Sequence, residues 1–508
     1  MGKGIVKLGE GNWAVKDGNL LAAKETNGRF KNAEFTVTRG TRATYVGRDG
    51  LIKESNLQDT NLVPSIVTTE NNNGGVINYI SSNIYSSTSD GTSTSIIRPK
   101  FNFNTTNGNT YKLVITPTGT ITGTVNFDFY DGSSYLFQDY DFTTTKEIYF
   151  THNGNVFGAF DGQQTYSIAS FTISIQEVKI NTPRIDFTDN TDGHLLLEPQ
   201  STNLITYSED FSEWTFLGNT NINATNITSP SGENNATNIT GLNGSGTNDL
   251  RKQLTYNTAN KTLTFSVYLK GSGTLRLQMS NGIDQAFQNV ITLTNQWQRY
   301  NVSGTFNSTS VSIFYLVIDD HSGLTATSYD VWGAQVEELS YATSYIPTNG
   351  SQVTRDAETC TGAGETADFN NSEGVFYAEI AALVNDQTYR SMSLGDGNNA
   401  DCVRLRFRNQ TNSINGLVRD SSTAKGNISY EVSDIKQFHK VAYKYKSGDC
   451  QLWIDGVQRA TSTDTFTPSP LTQLNFNQGT SSDIFYGKCK AIRVYKETDG
   501  IDLATLTS

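Results

Sequence analysis

The sequence predicts an all-β, multidomain fold: three β-sandwich (jelly-roll) domains behind a short N-terminal anchoring segment. Three observations carry this. The 508 residues exceed what one hydrophobic core supports and suggest roughly three domains of ~150 residues. Charged residues make up only 17% of the chain, against about 25% in ordinary domains; Asn, Thr, Ser and Gly replace them, beside 24 Tyr and 26 Phe. Aromatic and β-branched side chains suit a pleated surface, and Asn and Gly accept the positive φ of tight turns. The mix therefore favours strands and argues against a helical bundle or disorder. Finally, apolar residues alternate: Leu263, Phe265, Val267 and Leu269 fall on one face of a period-two run.

Taken in order, residues 1–55 form the anchoring segment, with strand-like stretches over 34–38 and 42–46 and the turn Asp49-Gly50. Residues 56–180 are a low-charge β domain. A linker over 181–202 carries Pro183, Pro199 and a polar turn cluster at 189–193. Residues 203–348 form a second jelly roll, whose run Val311 to Ile318 is nearly continuously apolar. Residues 349–508 form the third sandwich. There, Ser447-Gly448-Asp449 joins two alternating runs and Asp455-Gly456 closes the second, which is hairpin chemistry. Residues 502–506 suit one short helical turn.

The first two β domains look like distant copies. Each opens on Asn-Leu (Asn61-Leu62 and Asn203-Leu204). The spacing from Tyr111 to Ile148 equals that from Leu263 to Tyr300, and each copy closes on a Gln-containing strand, at Gln176 and Gln335.

Charge and cysteine usage narrow the setting. A formal net charge of −12 makes nucleic acid and anionic membrane poor partners, since both need a basic footprint. No run approaches the ~18 apolar residues of a membrane span, and no apolar signal-peptide core follows Met1. Synthesis and folding in a cytoplasm are expected. Cys360, Cys402, Cys450 and Cys489 are spaced irregularly and only 4 His are present, so a zinc site is disfavoured. The thiols are either buried in a cytoplasmically folded domain or paired later, outside the cell.

No catalytic constellation can be assembled, and the chain is expected not to be an enzyme. Glycosidases need two carboxyls on one cleft, but Asp319-Asp320 and Glu337-Glu338 are adjacent pairs that point to opposite strand faces. No cofactor is expected. Asp396, Asn398 and Asp401 offer hard oxygen donors for a structural calcium, with an Asx-type turn as the alternative. A sugar site needs an aromatic platform beside amides or carboxylates. Tyr130 and Tyr135, flanking Asp131-Gly132-Ser133-Ser134, have that composition, and Trp214 is a third candidate. For each, the plainer reading is a strand-end aromatic that closes a core.

Several segments together resemble a signature of tailed-bacteriophage virion surface proteins, of the tail-fibre and head-fibre type. They are Gly50-Leu51-Ile52-Lys53, Pro183-Arg184-Ile185-Asp186-Phe187, the run from Leu195 through Leu-Glu-Pro-Gln (Leu197–Gln200) to Ser208, Trp332 to Glu338, and Tyr341 to Thr348. In that group the first two lie close together, so residues 56–180 look like an insertion. The second jelly roll resembles galactose-binding-like carbohydrate-binding modules. The third resembles laminin-G or concanavalin-like sandwiches, through His439 to Tyr443, Leu452 to Val457 and Phe485 to Tyr495. The resemblance implies a lectin-like structural protein on the virion surface, a homotrimer held to other virion proteins by its N-terminal segment and attaching to a host-surface glycan. Jelly rolls of these groups often carry structural calcium. The alternatives are a capsid or tail decoration protein without ligand and, third, a capsule depolymerase.

Overall fold

The computed structural model describes residues 4–508 except 17–18, 27–28, 56–64, 68–74, 82, 93–96, 104, 108, 162, 179–180, 189–190, 285 and 308–312. It is nearly all β, with antiparallel sheets throughout. The chain divides into two compact units, residues 56–180 and residues 1–55 with 181–508.

Within the 56–180 unit, two sheets close on one core. The first runs Tyr135–Asp141, Asn126–Tyr130, Phe157–Asp161, Ile97–Asn102, Ser65–Val67; the second runs Lys146–Thr151, Thr110–Pro117, Thr165–Val178, Ile84–Asp90, Gly75–Ser81. Alternation explains the core. Leu113, Ile115, Ile173 and Ile175 face inward from the second sheet onto Phe127, Phe129 and Phe160 of the first. The rings of Phe129 and Phe150 meet edge-on at 4.9 Å, the arrangement that aromatic quadrupoles favour.

The second jelly roll, in the other unit, repeats this topology strand for strand. Its sheets run Phe287–Thr292, Thr274–Ser280, Ile313–Asp319, Asp249–Thr255, Thr215–Leu217 and Gln298–Phe306, Lys261–Gly271, Ser328–Glu337, Asn234–Thr240, Asn221–Thr228. The equal spacing seen in the sequence picks out equivalent strand pairs, Thr110–Pro117 with Lys146–Thr151 and Lys261–Gly271 with Gln298–Phe306, but their registers differ: Leu113 lies opposite Ile148, and Val267 opposite Tyr300. Of the other duplicated features, Asn61 and Leu62 lie outside the described residues, as do Val311 and Ser312 of the apolar run.

The C-terminal sandwich has one five-stranded sheet, Thr423–Glu431, Ser413–Asp420, Cys402–Phe407, Arg390–Gly395, Gln473–Asn475. The predicted hairpin is present: Lys444 pairs with Gln451, and Asp455 and Gly456 both take positive φ. Asp502 caps a five-residue helix, Leu503–Thr507. The opposing sheet is the finding that sequence did not anticipate. Strand Gly487–Tyr495 pairs on one side with Glu373–Ala382 and on the other with Gly4–Gly9 and His194–Leu197. Asn19–Thr26 and Arg29–Thr38 extend the sheet beyond Gly4–Gly9. Val6, Leu8, Leu20 and Phe35 are buried in the same core as Val403 and Leu452. The segment read as an anchor is thus built into the C-terminal sandwich, and strands Arg184–Asp186 and His194–Leu197 of the expected linker join the sheet as well. The physical reason is edge satisfaction: Gly487–Tyr495 would otherwise leave a row of unpaired backbone groups.

Where these pieces meet, five charged side chains are buried together: Arg39, Arg184, Arg355, Glu198 and Glu358. Glu358 accepts from Arg39 Nη1 at 2.5 Å and from Arg184 Nε at 2.9 Å, with a second, tighter contact to Arg184 Nη2. Glu198 bridges Arg184 at 2.8 Å and Arg355 at 3.0 Å. Burial alone would raise both carboxyls. The arginines outweigh it, holding Glu358 below the ordinary carboxylate range and Glu198 down at about 2. Arg39 is lowered too, to about 10: burial strips its hydration, and that loss, with repulsion from Arg184 and Arg355, outweighs the attraction and hydrogen bond of Glu358. All four cysteines are free and buried, and burial pushes the Cys360 and Cys489 thiols up, so they stay protonated.

Candidate functional site

Side chains that sit opposite one another across a sheet share a face, and one such row is aromatic. Tyr135 pairs with Tyr130, Tyr130 with Phe157, and Phe157 with Asn102. Phe127 and Phe129 point into the core, so alternation turns Tyr130 outward. The ring centroids of Tyr130 lie 5.1 Å from Tyr135 and 5.3 Å from Phe157. Tyr135 is 38% exposed. Burial against this cluster, with the carboxylate of Asp128 nearby, raises its phenol above the ordinary range, so it presents a neutral hydroxyl at any physiological pH.

The turn joining the two tyrosines is rigid. Asp131 Oδ1 accepts from Ser133 N, Ser133 Oγ and Ser134 N at 2.7–2.9 Å. Burial would raise this carboxyl, and the N–H groups of Ser134 and Ser133 hold it low instead. Gly132 has φ +102°, and a Cβ there would stand 2.4 Å from the Gly154 nitrogen. Asn153 N–H donates to Asp131 O at 3.0 Å, so the 131–134 and 152–154 loops are locked together. The tyrosines therefore sit on a fixed hairpin, with the low conformational cost that preorganised sites need.

The equivalent face of the second jelly roll is built differently. One row across it reads Leu217, Asp249, Asp319, Arg276, Val290, and the next reads Arg251, Val317, Gln278, Gln288. Arg276 grips Asp319 through Nε at 3.1 Å and Nη2 at 2.6 Å, and Arg251 grips Asp249 likewise. One fold thus carries an aromatic strip in one copy and an ion-paired lattice in the other. The topology does not require the aromatic strip.

The remaining predicted residues fall elsewhere. Trp214 is corrected: it is 4% exposed, packed on Phe211 at 5.2 Å and Phe265 at 6.5 Å, and closes the core of the second jelly roll. In the candidate calcium loop, Asp396 Oδ1 accepts from Asn398 N at 3.1 Å, and Asn398 Oδ1 accepts from Ala400 N at 2.7 Å. Asp401 Oδ1 accepts from Ser421 N and Ser469 N. These oxygens are turned to the protein's own N–H groups, as in Asx turns. Among the described residues no group of three His, Cys, Asp or Glu could hold a metal. The adjacent carboxylates separate as their alternation requires. Asp319 pairs with Arg276, while Asp320 lies buried and accepts from the N–H groups of Asn243, Gly244, Gly246 and Asn248. Glu337 is buried on Ser201 and Thr343, and Glu338 lies at the surface with Tyr256 and Lys261.

No protein-family model matches the chain, and no curated protein matches it. Solved structures do. The CBM40 domain of a Ruminococcus gnavus IT-sialidase, solved bound to α2,3-sialyllactose, is 16% identical, covers 29% of this chain and 94% of its own, and has a TM-score of 0.25. A leech intramolecular trans-sialidase is 17% identical over 27% of this chain and 23% of its own, TM-score 0.23. The enzymatically active domain of tailspike protein 4 from bacteriophage CBA120 is 8% identical over 26% of this chain and 21% of its own, TM-score 0.22. Partial likenesses of this size assign no residue. They do overturn the expectation of a non-enzyme: sandwiches similar to this one occur in glycan-processing enzymes as well as in binding modules.

Proposed function

We propose that the chain recognises glycans, and that the Tyr135–Tyr130–Phe157 row of the 56–180 sandwich is the surface that meets the sugar. The observation that carries this reading is the row itself: two tyrosines on a locked hairpin beside Phe157 of the neighbouring strand, where the duplicate of the same fold places salt bridges instead. Sugar rings present apolar C–H faces that stack on aromatic side chains, and the tyrosine hydroxyls supply polar contacts beside them. The setting proposed is the surface of a bacteriophage particle, as a trimeric fibre or appendage assembled after folding in the host cytoplasm. The Leu-Glu-Pro-Gln run and its companion segments support that setting by resemblance alone.

A glycan array probed with the full chain and with Tyr135→Ala and Tyr130→Ala tests the site. Each substitution is expected to weaken binding about tenfold, equivalent to about 1.4 kcal/mol, without lowering the unfolding midpoint of the 56–180 unit. Binding unchanged in both variants removes the row as the site. An array with no bound glycan favours a decoration role, and release of reducing ends from host polysaccharide would add depolymerase chemistry. Light scattering that gives a monomeric mass sinks the trimer.

A further inference from the structure

A second feature, in the other unit, is left unused by that reading. Strands Ser201–Asn203 and Val353–Arg355 pair as an isolated two-stranded sheet directly after the Leu-Glu-Pro-Gln run. Beside them lies a groove of about 520 Å³, within the roughly 300–1,000 Å³ typical of small-ligand sites.

Its floor is fixed from below. Ser201 Oγ donates to the buried Glu337 at 2.7 Å, and Arg355 Nη2 donates to Pro199 O at 2.7 Å. Thr202 and Thr354 share a hydroxyl contact of 2.8 Å across the pair. One wall is Tyr256, whose hydroxyl donates to Glu338 Oε2 at 2.6 Å, while Lys261 Nζ reaches both groups at 2.8 and 2.9 Å and lies 4.5 Å over the ring. The rim carries two exposed carboxamides, Gln200 and Gln352.

We propose that this groove is a second binding site, for a neutral saccharide. The chemistry of the lining selects the class. Leu204 is the one aliphatic residue among the lining residues, too little for an apolar ligand. The charge of Glu338 is met by Lys261, so neither an anion nor a bare cation finds an uncompensated partner. The hydroxyl oxygens of the floor and the carboxamides of Gln200 and Gln352 remain as polar partners, on a rigid floor beside an aromatic ring, and these match a ligand whose own hydroxyls donate and accept. The motif singled out in the sequence then has two ends with two jobs: Glu198 is buried in the charge cluster, and Gln200 stands on the rim.

The site is independent of the Tyr135 row, and the test keeps them apart. Full chain carrying Tyr135→Ala is titrated with neutral gluco-, galacto-, manno- and N-acetylhexosamine oligosaccharides and with sialylated ones, read by saturation-transfer NMR. A neutral oligosaccharide is expected to bind this variant, and Gln200→Trp, which fills the groove from an exposed position, is expected to abolish the signal. Glu338→Gln, which keeps the shape and removes the carboxylate, is expected to weaken binding at least fivefold. Retained unfolding midpoints show that both variants fold. The proposal is overturned if no neutral oligosaccharide binds the Tyr135→Ala chain, if Gln200→Trp leaves binding intact, or if sialylated ligands alone bind.

Discussion

Glu358 shows how a charged residue can matter without touching any ligand. It is shared by Arg39 from the N-terminal segment and Arg184 from the middle of the chain, so removing it takes a carboxylate from two buried arginines at once and leaves Glu198 to Arg184. Glu358→Ala is expected to destabilise the unit of residues 1–55 and 181–508 by about 3–5 kcal/mol, read as a shifted denaturant midpoint with the 56–180 unit unaffected. Glu198 adds a pH dependence. Its carboxyl titrates at about 2 when folded, against 4.5 ordinarily, so the folded state binds fewer protons than the unfolded one across that interval. The stabilisation, roughly 3 kcal/mol, is complete above pH 4.5 and is lost as pH falls toward 2. The unfolding midpoint should drop steeply in that window, and Glu198→Gln, less stable at neutral pH, should show a shallower drop. Trp214 carries the opposite lesson. Its position after Phe211-Ser212-Glu213 admits a sugar platform as well as a core plug, and only its packing on Phe211 and Phe265 decides between them. Trp214→Ala should cost about 3–5 kcal/mol rather than act selectively on binding.

At the scale of elements, strand Gly4–Gly9 shows why local pattern is not enough. Its alternation is legible in the sequence, but its partner Gly487–Tyr495 lies at the far end of the chain, and no spacing rule reaches that distance. Gly9 marks the contact: at φ +89° a Cβ would lie 2.0 Å from Lys490 O. Gly9→Val is expected to cost at least about 1–2 kcal/mol from backbone handedness alone. Deleting residues 1–10 should leave the C-terminal sandwich open to proteolysis near 487–495, whereas a detachable anchor would be removed without effect. The hairpins behaved differently. Ser447-Gly448-Asp449 and Asp455-Gly456 encode their turns locally, and the pairing follows. The duplication was legible too, because strand spacing within one sandwich is a short-range property.

At the scale of the whole molecule, Ser55 and Asn181, the two residues of the larger unit that flank 56–180, meet at one arginine of that same unit. Arg39 donates from Nη2 to Ser55 Oγ at 2.6 Å and from its backbone N–H to the Asn181 carboxamide at 3.0 Å. The larger unit thus holds its own two flanking residues together. Replacing residues 56–180 by a short Gly/Ser linker should leave a folded unit with unchanged midpoint and intact groove, and loss of cooperative unfolding would count against two independent units. The sequence by itself determined the β class, the turns, the duplicated topology and the aromatic character of the Tyr130–Tyr135 hairpin, because alternation and turn chemistry act over a few residues. Only the tertiary structure decided which aromatics face outward, that the N-terminal segment completes the last sandwich, and that the Leu-Glu-Pro-Gln run contributes Glu198 to a buried charge cluster. Those outcomes depend on desolvation and on edge pairing between residues hundreds of positions apart, and neither leaves a local trace.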